Sequence, residues 1–434
     1  MSSYAEDQGA HAPETPFGAP RAVAGRLSRL GAGPMPAWVR YPAFGLLILF
    51  LASVDWNKAA YILHRQPFAI DYLPLWTAGR MALTHPGHLY DFQAITNAQR
   101  WAIGALHRER PWIYPPSALV IFSPLSLAPF WISTAVWIVG TIAAQLTGAL
   151  KFISRDRILA VALLVALPAS SLTVVAAQTT FLTAAAVAIA VMSLERRPIV
   201  AGILLGAAAA MKPSAMVALP LALIAARAYR PMMVAAVTGA ALTLATAAWL
   251  GPGVWLNWLE ALPRFERVVL YDPAFLPSLI TPTSAGVTHH LGPDQLLAVR
   301  AVFVAAGAAV VWQTWRHRTD PAFRVIALMA AGLFASPYAM RYDAALFAIP
   351  AVALICRATS WRGVLVAAAA FGLLSFSIQP YAGPYAITAF VALTSAMAFF
   401  SHERARARLA LASANAGPLW DPIAANAEGD RAAA

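Results

Sequence analysis

Charge is scarce in this chain. Only 12% of its 434 residues are Asp, Glu, Lys or Arg, against roughly a quarter in soluble globular domains. That shortfall excludes an ordinary water-facing surface. Cysteine is rarer still: Cys356 stands alone, which excludes an intrachain disulfide and any CxxC metal site. Its position near a helix end reads as packing. The chain also lacks a glycine-rich phosphate loop, GxSxG and HExxH. Without a nucleotide-binding motif an ATP-driven pump is disfavoured, and a transferase here is expected to use a lipid-linked rather than a nucleotide-linked donor. No alternating ten-residue pattern marks a β-barrel.

What is abundant is apolar sequence, 60% of the chain. It comes in repeated runs of about 15–20 residues separated by Arg-bearing links, the pattern of a polytopic membrane protein. Backbone N–H and C=O groups in lipid must be paired within the segment, so the runs are expected to be helices. The net charge of +12 does not point to nucleic acid. Its basic residues fall in the short links, as the positive-inside rule places them.

Residues 1–40, rich in Ala, Gly, Pro and Ser with Arg21, Arg26, Arg29 and Arg40, read as a disordered cytoplasmic tail. Tyr41 to about Val54 is the first span. No small-x-small cleavage site follows it, which argues against a secretory signal peptide. Asp55–Pro116 is then a long first extracytoplasmic loop. Ser117–Pro129, broken by Pro124 and Pro129, is too short to span comfortably and reads as re-entrant or interfacial. Further spans are expected at 130–150, 158–176, 179–194, 198–211, 214–229, 232–250, 296–315, 323–337, 342–356, 362–378 and 383–401. With the first, that is about twelve within a transmembrane domain of 41–401. Residues 402–434 form a second cytoplasmic tail with a disordered end. Both termini face the cytoplasm of a plasma (inner) membrane. Arg155/Arg157, Arg196/Arg197, Arg227/Arg230, Arg316/Arg318, Arg357/Arg362 and Arg404/Arg406/Arg408 fall on the tail side. The opposite side receives the 55–116 loop, Gln178, Lys212, the 251–295 loop, Ser336–Asp343 and Gln379–Pro384.

The stretch Ala69–Pro116 is the one long polar and aromatic segment, with Asp71, Trp76, Arg80, Tyr90-Asp91 and Trp112-Ile-Tyr114-Pro115-Pro116. An ionisable group at the bilayer is costly and is usually retained for function. A carboxylate in partly apolar surroundings accepts a proton more readily than one in water. Asp71 is therefore the candidate general base of a membrane sugar transferase. Its structural alternatives are an N-cap of the helical Leu-Trp-Thr-Ala-Gly-Arg that follows, or an ion pair. Arg80 offers a phosphate contact or a salt bridge. Trp76, Trp101 and Trp112 are interface anchors or sugar platforms. Gln178 can hydrogen-bond a sugar or stitch two helices together. Lys212, beside the helix-breaking Pro213, is a candidate phosphate binder or a snorkelling side chain. Arg341 and Asp343 either pair with each other or serve a phosphate and an acceptor, respectively. His289-His290 with Asp294 lacks a third ligand at fixed spacing and makes a weak metal site. Asp272 and Glu266 read as solvated.

Asp71-Tyr-(x)3-Trp76-(x)3-Arg80, Gly87-His-Leu-Tyr90-Asp91, Tyr114-Pro115-Pro116, Ser123-Pro124-Leu125 and Pro129 together resemble the start of glycosyltransferase family 87. Gln178 sits where that family has a polar residue before an apolar helix. Ala201-Gly-Ile-Leu-Leu-Gly206 with Met211-Lys212-Pro213 resembles its AGxxxG…KP segment. Leu276-Pro-Ser278-Leu resembles its outer-loop serine, and Ser336-Pro337 with Tyr342-Asp343 its late motif. The resemblance runs from about residue 45 to 400 and rests on the order of the motifs.

It implies an all-α GT-C fold with an extracytoplasmic active site. It also implies a polyprenyl-phosphate sugar donor, often mannose, and a single inverting displacement onto a lipid or glycan acceptor. By that carry-over Asp71 is the base, and Arg80, Lys212 and Arg341 face the donor phosphate. Trp76, Tyr114, Gln178, Ser278, Tyr338, Tyr342 and Asp343 complete the expected substrate contacts. No cofactor is implied, and a divalent metal is left open. Many family members carry histidine near the late Ser-Pro motif, where this chain has Tyr338 and Tyr342, so the sugar or acceptor is open to differ. Other classes of function remain: a transporter or flippase whose path is lined by Lys212, Gln178 and Arg341, or a scaffold in envelope assembly. A transporter fits less well, because the chain shows no internal repeat and has a long loop after its first span.

Overall fold

The computed structural model describes residues 33–65, 67–104 and 110–415. Of the tail expected to be disordered over 1–40, residues 1–32 lie outside the described residues, whereas 37–40 belong to the first helix, Ala37–Arg65; the disordered end expected of the second tail lies outside them from 416 onward. Among the described residues the chain is helical, and extended pairing is confined to two isolated bridges, Pro34 with Ser360 and Leu279 with Met340. Pro42, Pro124 and Pro263 lie inside helices, but many prolines start them. Pro168, Pro198, Pro213, Pro282, Pro293 and Pro321 each occupy a first helical position, where the missing N–H had no intrahelical partner to lose. Side-chain caps from Thr281 and Asp320 satisfy orphan N–H groups at two of these starts, and Asp91 and Ser360 do so at two others.

The apolar segments expected from sequence each coincide with a helix or a pair of helices. Among the described residues five helices are long and apolar enough to cross a bilayer: Ala37–Val54, Phe130–Phe152, Tyr229–Leu250, Pro293–Arg316 and Gly383–Glu403. The pair Arg157–Ala166 and Pro168–Ala176, bent by 63°, makes a sixth if counted as one span. The other apolar helices have 10–17 residues, so the expected twelve includes segments shorter than a full crossing. Two boundaries move. The first helix continues beyond Val54 to Arg65, and the last continues past residue 401 to Asn415. Ser117–Pro129 holds only a 3-10 turn, Pro116–Ala118, and the helix Leu119–Leu125.

The first loop is not an open excursion. It contains the helices Leu73–Thr84 and Phe92–Ile103 and folds onto Phe130–Phe152 through aromatic packing. Tyr72 stacks on Trp137 with centroids 5.8 Å apart, Phe122 meets Trp137 at 5.1 Å, and Trp112 meets Tyr114 at 5.4 Å. These rings form an apolar cluster distinct from the larger one that runs through the helix bundle. Within the bundle, Pro198–Met211 lies close against Tyr229–Leu250. A Cβ on Gly206 would stand 2.5 Å from the Ala235 carbonyl oxygen. Close backbone approach is the physical content of the Gly202/Gly206 spacing.

Polar groups gather at two ends. At one end Arg40 pairs with Asp156 at 3.0 Å and Arg318 with Glu195 at 3.4 Å. There too Arg357 holds both Asp320 and the Phe152 carbonyl. These are links that the alternation of spans assigned to one side. At the other end lie Asp71, Gln178, Lys212, Ser278 and the 336–343 segment, around a cavity.

Candidate active site

The cavity has a volume of about 500 Å³. Its polar lining comes from places where helices stop. Asp71 precedes Leu73–Thr84, and Gln178 lies between Pro168–Ala176 and Thr180–Ser193. Lys212 lies between Pro198–Met211 and Pro213–Met216. Ser278 ends the 3-10 turn Leu276–Ser278, and Tyr338–Asp343 follows Pro321–Ala335. Interrupted backbone at membrane depth is tolerated where it lines a cavity, because its free donors and acceptors then have partners. At one of these breaks Ala177 adopts the left-handed region, φ 53°. There its carbonyl accepts from Trp137 Nε1 at 3.0 Å, an unusual conformation for a non-glycine residue.

Asp71 does not cap the helix that follows. The N-cap is Tyr72, with no side-chain bond. Instead Asp71 Oδ1 accepts from Arg110 Nη1 at 3.0 Å. Oδ2 has no hydrogen-bond partner among the described residues. The ion-pair alternative is therefore realised, and one carboxylate oxygen remains for a ligand.

The second charged pair is Lys212 with Asp343. Asp343 is saturated: Oδ1 also accepts from Thr180 Oγ1 at 3.1 Å, and Oδ2 from the Met340 N–H at 3.1 Å. Burial, the largest influence on Lys212, favours the neutral amine. The Asp343 charge, the Tyr114 ring and the hydrogen bond to Asp343 outweigh it and hold the ammonium above its ordinary range.

Arg341 does not pair with Asp343. Its Nη2 donates to Ser278 Oγ at 2.8 Å and its Nη1 to the Ile378 carbonyl at 3.0 Å. The outer-loop serine and the late motif are thus joined, and Ile280 N–H reinforces the junction on the Ala339 carbonyl at 2.9 Å.

Tyr114 donates to Gln178 Oε1 at 3.1 Å and shares a bond with Thr179 Oγ1 at 2.9 Å. Its carbonyl accepts from the Tyr90 hydroxyl at 2.8 Å, and Trp258 Nε1 holds the neighbouring Ile113 carbonyl at 3.0 Å. Burial pushes the Tyr114 and Tyr338 phenols upward, so both stay neutral near pH 7. The Tyr342 hydroxyl has no hydrogen-bond partner among the described residues.

Two expected site residues lie elsewhere. Arg80 is exposed, reaches the Ser126 carbonyl at 3.4 Å and is absent from the cavity lining. It lies on the exposed face of Leu73–Thr84, most of whose residues are buried. Trp76 is buried against Phe130, with Nε1 on the Ala128 carbonyl at 3.0 Å. It packs in the aromatic cluster and is absent from the cavity lining. Trp112 is buried at the cavity wall, and Trp101 is exposed.

Arg110 and Thr180 were not anticipated. Arg110 hides in the charge run His107-Arg-Glu-Arg110, which reads as a solvated loop. The one available signal was its position two residues before Trp112, at the start of the Trp-Ile-Tyr-Pro-Pro motif.

The cavity wall carries three cations, Arg110, Lys212 and Arg341, against two carboxylates. Lys212 and Arg341 on one wall suit an anionic ligand such as a phosphodiester. Leu262, Phe265 and Val269 supply an apolar wall beside it. Among the described residues no three His, Cys, Asp or Glu side chains lie close enough to hold a metal ion. His289 instead meets the Tyr385 hydroxyl.

The chain is similar to curated proteins named polyprenol-phosphate-mannose-dependent alpha-(1-2)-phosphatidylinositol pentamannoside mannosyltransferase. With that of Mycolicibacterium smegmatis it shares 31% identity over 99 residues, 23% of this chain and 22% of the relative. With that of Mycobacterium tuberculosis it shares 35% over 83 residues, 19% and 17% of the two chains. The matched stretches span about a fifth of these relatives' length. No solved structure matches. The model of glycosyltransferase family 87 matches residues 112–337, a stretch that contains Tyr114, Gln178, Lys212 and Ser278 but neither Asp71 nor Arg341. That match covers more than half of the sequence, and on it the chain belongs to glycosyltransferase family 87.

Proposed function

We propose that this protein transfers a hexose, most simply mannose, from a polyprenyl-phosphate sugar to a hydroxyl of a lipid or glycan acceptor. The anomeric carbon inverts, and the reaction takes place on the extracytoplasmic side of the membrane in a GT-C architecture. One observation carries this reading: Asp71, with one free carboxylate oxygen, shares a cavity with Lys212 and Arg341 at the end of the bundle opposite the arginine-rich links.

In this reaction the acceptor hydroxyl gives its proton to Asp71 as its oxygen bonds to the anomeric carbon. The bond from that carbon to the phosphate oxygen breaks, and polyprenyl phosphate leaves with the electron pair. The developing charge on the leaving phosphate needs cations at fixed positions. Lys212 and Arg341 are held there by Asp343 and Ser278. Tyr114, Gln178 and Tyr342 offer neutral donors and acceptors for sugar hydroxyls. The apolar wall of Leu262, Phe265 and Val269 suits a prenyl stem.

The test is transfer in proteoliposomes containing radiolabelled polyprenyl-phosphate mannose and extracted envelope lipids. Wild-type protein is expected to label an acceptor, and Asp71→Asn to reduce the rate by about 10²-fold or more at equal abundance. Undiminished transfer by Asp71→Asn removes the base assignment. Movement of a lipid-linked solute across the vesicle without consumption of the sugar donor replaces transfer with transport.

A further inference from the structure

Two helices connect the candidate active-site cavity with a second one. Thr180–Ser193 begins at Gln178 and Thr180, and Pro198–Met211 ends at Lys212. Each has 14 residues, a length of about 21 Å. At their far ends a cavity of about 280 Å³ lies between Lys151, Arg196 and Arg197 on its polar side and Ile189, Met192 and Val200 on its apolar side.

The charges here are unbalanced. None of the three cations has an ion-pair partner among the described residues. The neighbouring carboxylates are already engaged: Asp156 by Arg40, Glu195 by Arg318 and Asp320 by Arg357. Orientation signals need only lie on one side of the membrane. That does not explain why three of them, from two separate links, converge on one cavity without a counter-charge. Three like charges facing one space repel each other unless an anion joins them. The start of Pro198–Met211 adds unpaired backbone N–H groups to the same place.

The apolar side indicates what carries the anion. Met192 and Val200 are 42% and 43% exposed beside the cations. A free inorganic anion gains nothing from that surface, whereas an acyl chain covers it. We propose that this cavity binds the phosphate headgroup of an anionic phospholipid on the face opposite the candidate active-site cavity. The phosphate sits among Lys151, Arg196 and Arg197, and a chain lies along Met192 and Val200. Such a lipid clamps the ends of the two helices that carry Thr180 and Lys212. The assignment does not depend on the sugar-transfer reading.

The experiment uses the full chain, purified and delipidated in detergent, titrated with phosphatidylglycerol, phosphatidylcholine or inorganic phosphate. Binding is read by native mass spectrometry and by the melting midpoint. Phosphatidylglycerol is expected to bind and raise the midpoint, and the other two to do neither. Lys151→Gln/Arg196→Gln/Arg197→Gln is expected to bind phosphatidylglycerol about a hundredfold more weakly. Arg155→Gln/Arg227→Gln/Arg230→Gln, which removes three cations elsewhere on that face, is expected to bind normally. Val200→Glu supplies an internal counter-charge while keeping all three orientation signals. It tests the site even if the triple variant fails to insert, and it is expected to abolish binding. Protection by inorganic phosphate alone, equal loss in both triple variants, or unchanged binding by Val200→Glu would each overturn the proposal.

Discussion

Asp71 and Arg110, 39 residues apart in sequence, meet at 3.0 Å across the wall of the candidate active-site cavity. The contact fixes one carboxylate oxygen and leaves the other to a substrate. In the proposed reaction Arg110 is a positioning residue for Asp71, and its ring contact with Phe275, 5.4 Å to the centroid, steadies it from the other side.

Arg110→Gln is expected to lower transfer by about 10–100-fold, because misplacing a reacting group by about 1 Å has that scale of effect. Arg110→Lys keeps the charge but loses the planar fork, and is expected to recover only part of the rate. A kcat loss larger than any change in KM distinguishes positioning from donor binding. Equal activity in all three proteins, measured at matched abundance in proteoliposomes, would remove Arg110 from the site.

Lys212 and Asp343 separate stability from chemistry. Removing one partner of a buried pair leaves an uncompensated charge, at a cost of about 3–5 kcal/mol. Lys212→Met and Asp343→Leu are each expected to lower the melting midpoint sharply, and the double variant to recover much of it. Transfer should not recover in the double variant if Lys212 serves the donor phosphate. The pH dependence follows from the raised lysine. A cation held above its unfolded value contributes fully below about pH 10.4 and is lost only as pH rises through the higher folded value. The difference in midpoint between wild type and Lys212→Met is therefore expected to stay constant from about pH 6 to pH 9. A step inside that window would show an ammonium less firmly held than the Asp343 contact implies.

The same turn is backed by a glycine. A Cβ on Gly332 would stand 2.2 Å from the Ala215 carbonyl oxygen, three residues past Lys212. Both segments are backbone at that crossing, so neither can yield by rotating a side chain. Gly332→Ala is expected to destabilise by about 1–3 kcal/mol, the usual scale of overpacking, and to lower transfer by moving Lys212. Gly239→Ala meets nothing within 4 Å and serves as the neutral comparison. Detergent melting curves and transfer rates of the two variants check the contrast.

Much of this arrangement was legible in the sequence because lipid penalises lone polar groups. Asp71, Gln178, Lys212 and Asp343 stand out in apolar surroundings, and all four line the cavity. Arg110 was not legible, since inside a charge run nothing separates a structural cation from a solvated one. Arg80 misled for the opposite reason. Its motif spacing drew attention, while its place on the exposed face of Leu73–Thr84 keeps it out of the cavity lining. Helix positions followed from hydropathy, but the 63° bend before Pro168 and the left-handed Ala177 depend on tertiary contacts. The partners of Arg341 could not be read at all, because Ser278 lies 63 residues away and an arginine two positions from an aspartate invites the wrong pairing.

Arg341 and Arg80 therefore make opposite predictions from the same residue type. Arg341 uses both terminal nitrogens, one on Ser278 Oγ and one on the Ile378 carbonyl, so its fork ties the outer loop to the 338–343 segment. Lysine cannot reproduce two divergent bonds from one planar group. Arg341→Lys is expected to lose about tenfold or more in transfer, given that a hydrogen bond to a charged group is worth about 1.5–3 kcal/mol. Ser278→Ala should lose less, because Ile378 still holds the guanidinium. Combined with Arg341→Lys, Ser278→Ala should add almost nothing, since the contact it removes is already gone. Arg80→Lys and Arg80→Gln should both stay within about twofold of wild type, as expected for an exposed side chain outside the cavity. Full additivity of Ser278→Ala with Arg341→Lys would mean that the two residues act on the substrate separately. A large loss in Arg80→Gln would place the donor phosphate outside the cavity described above.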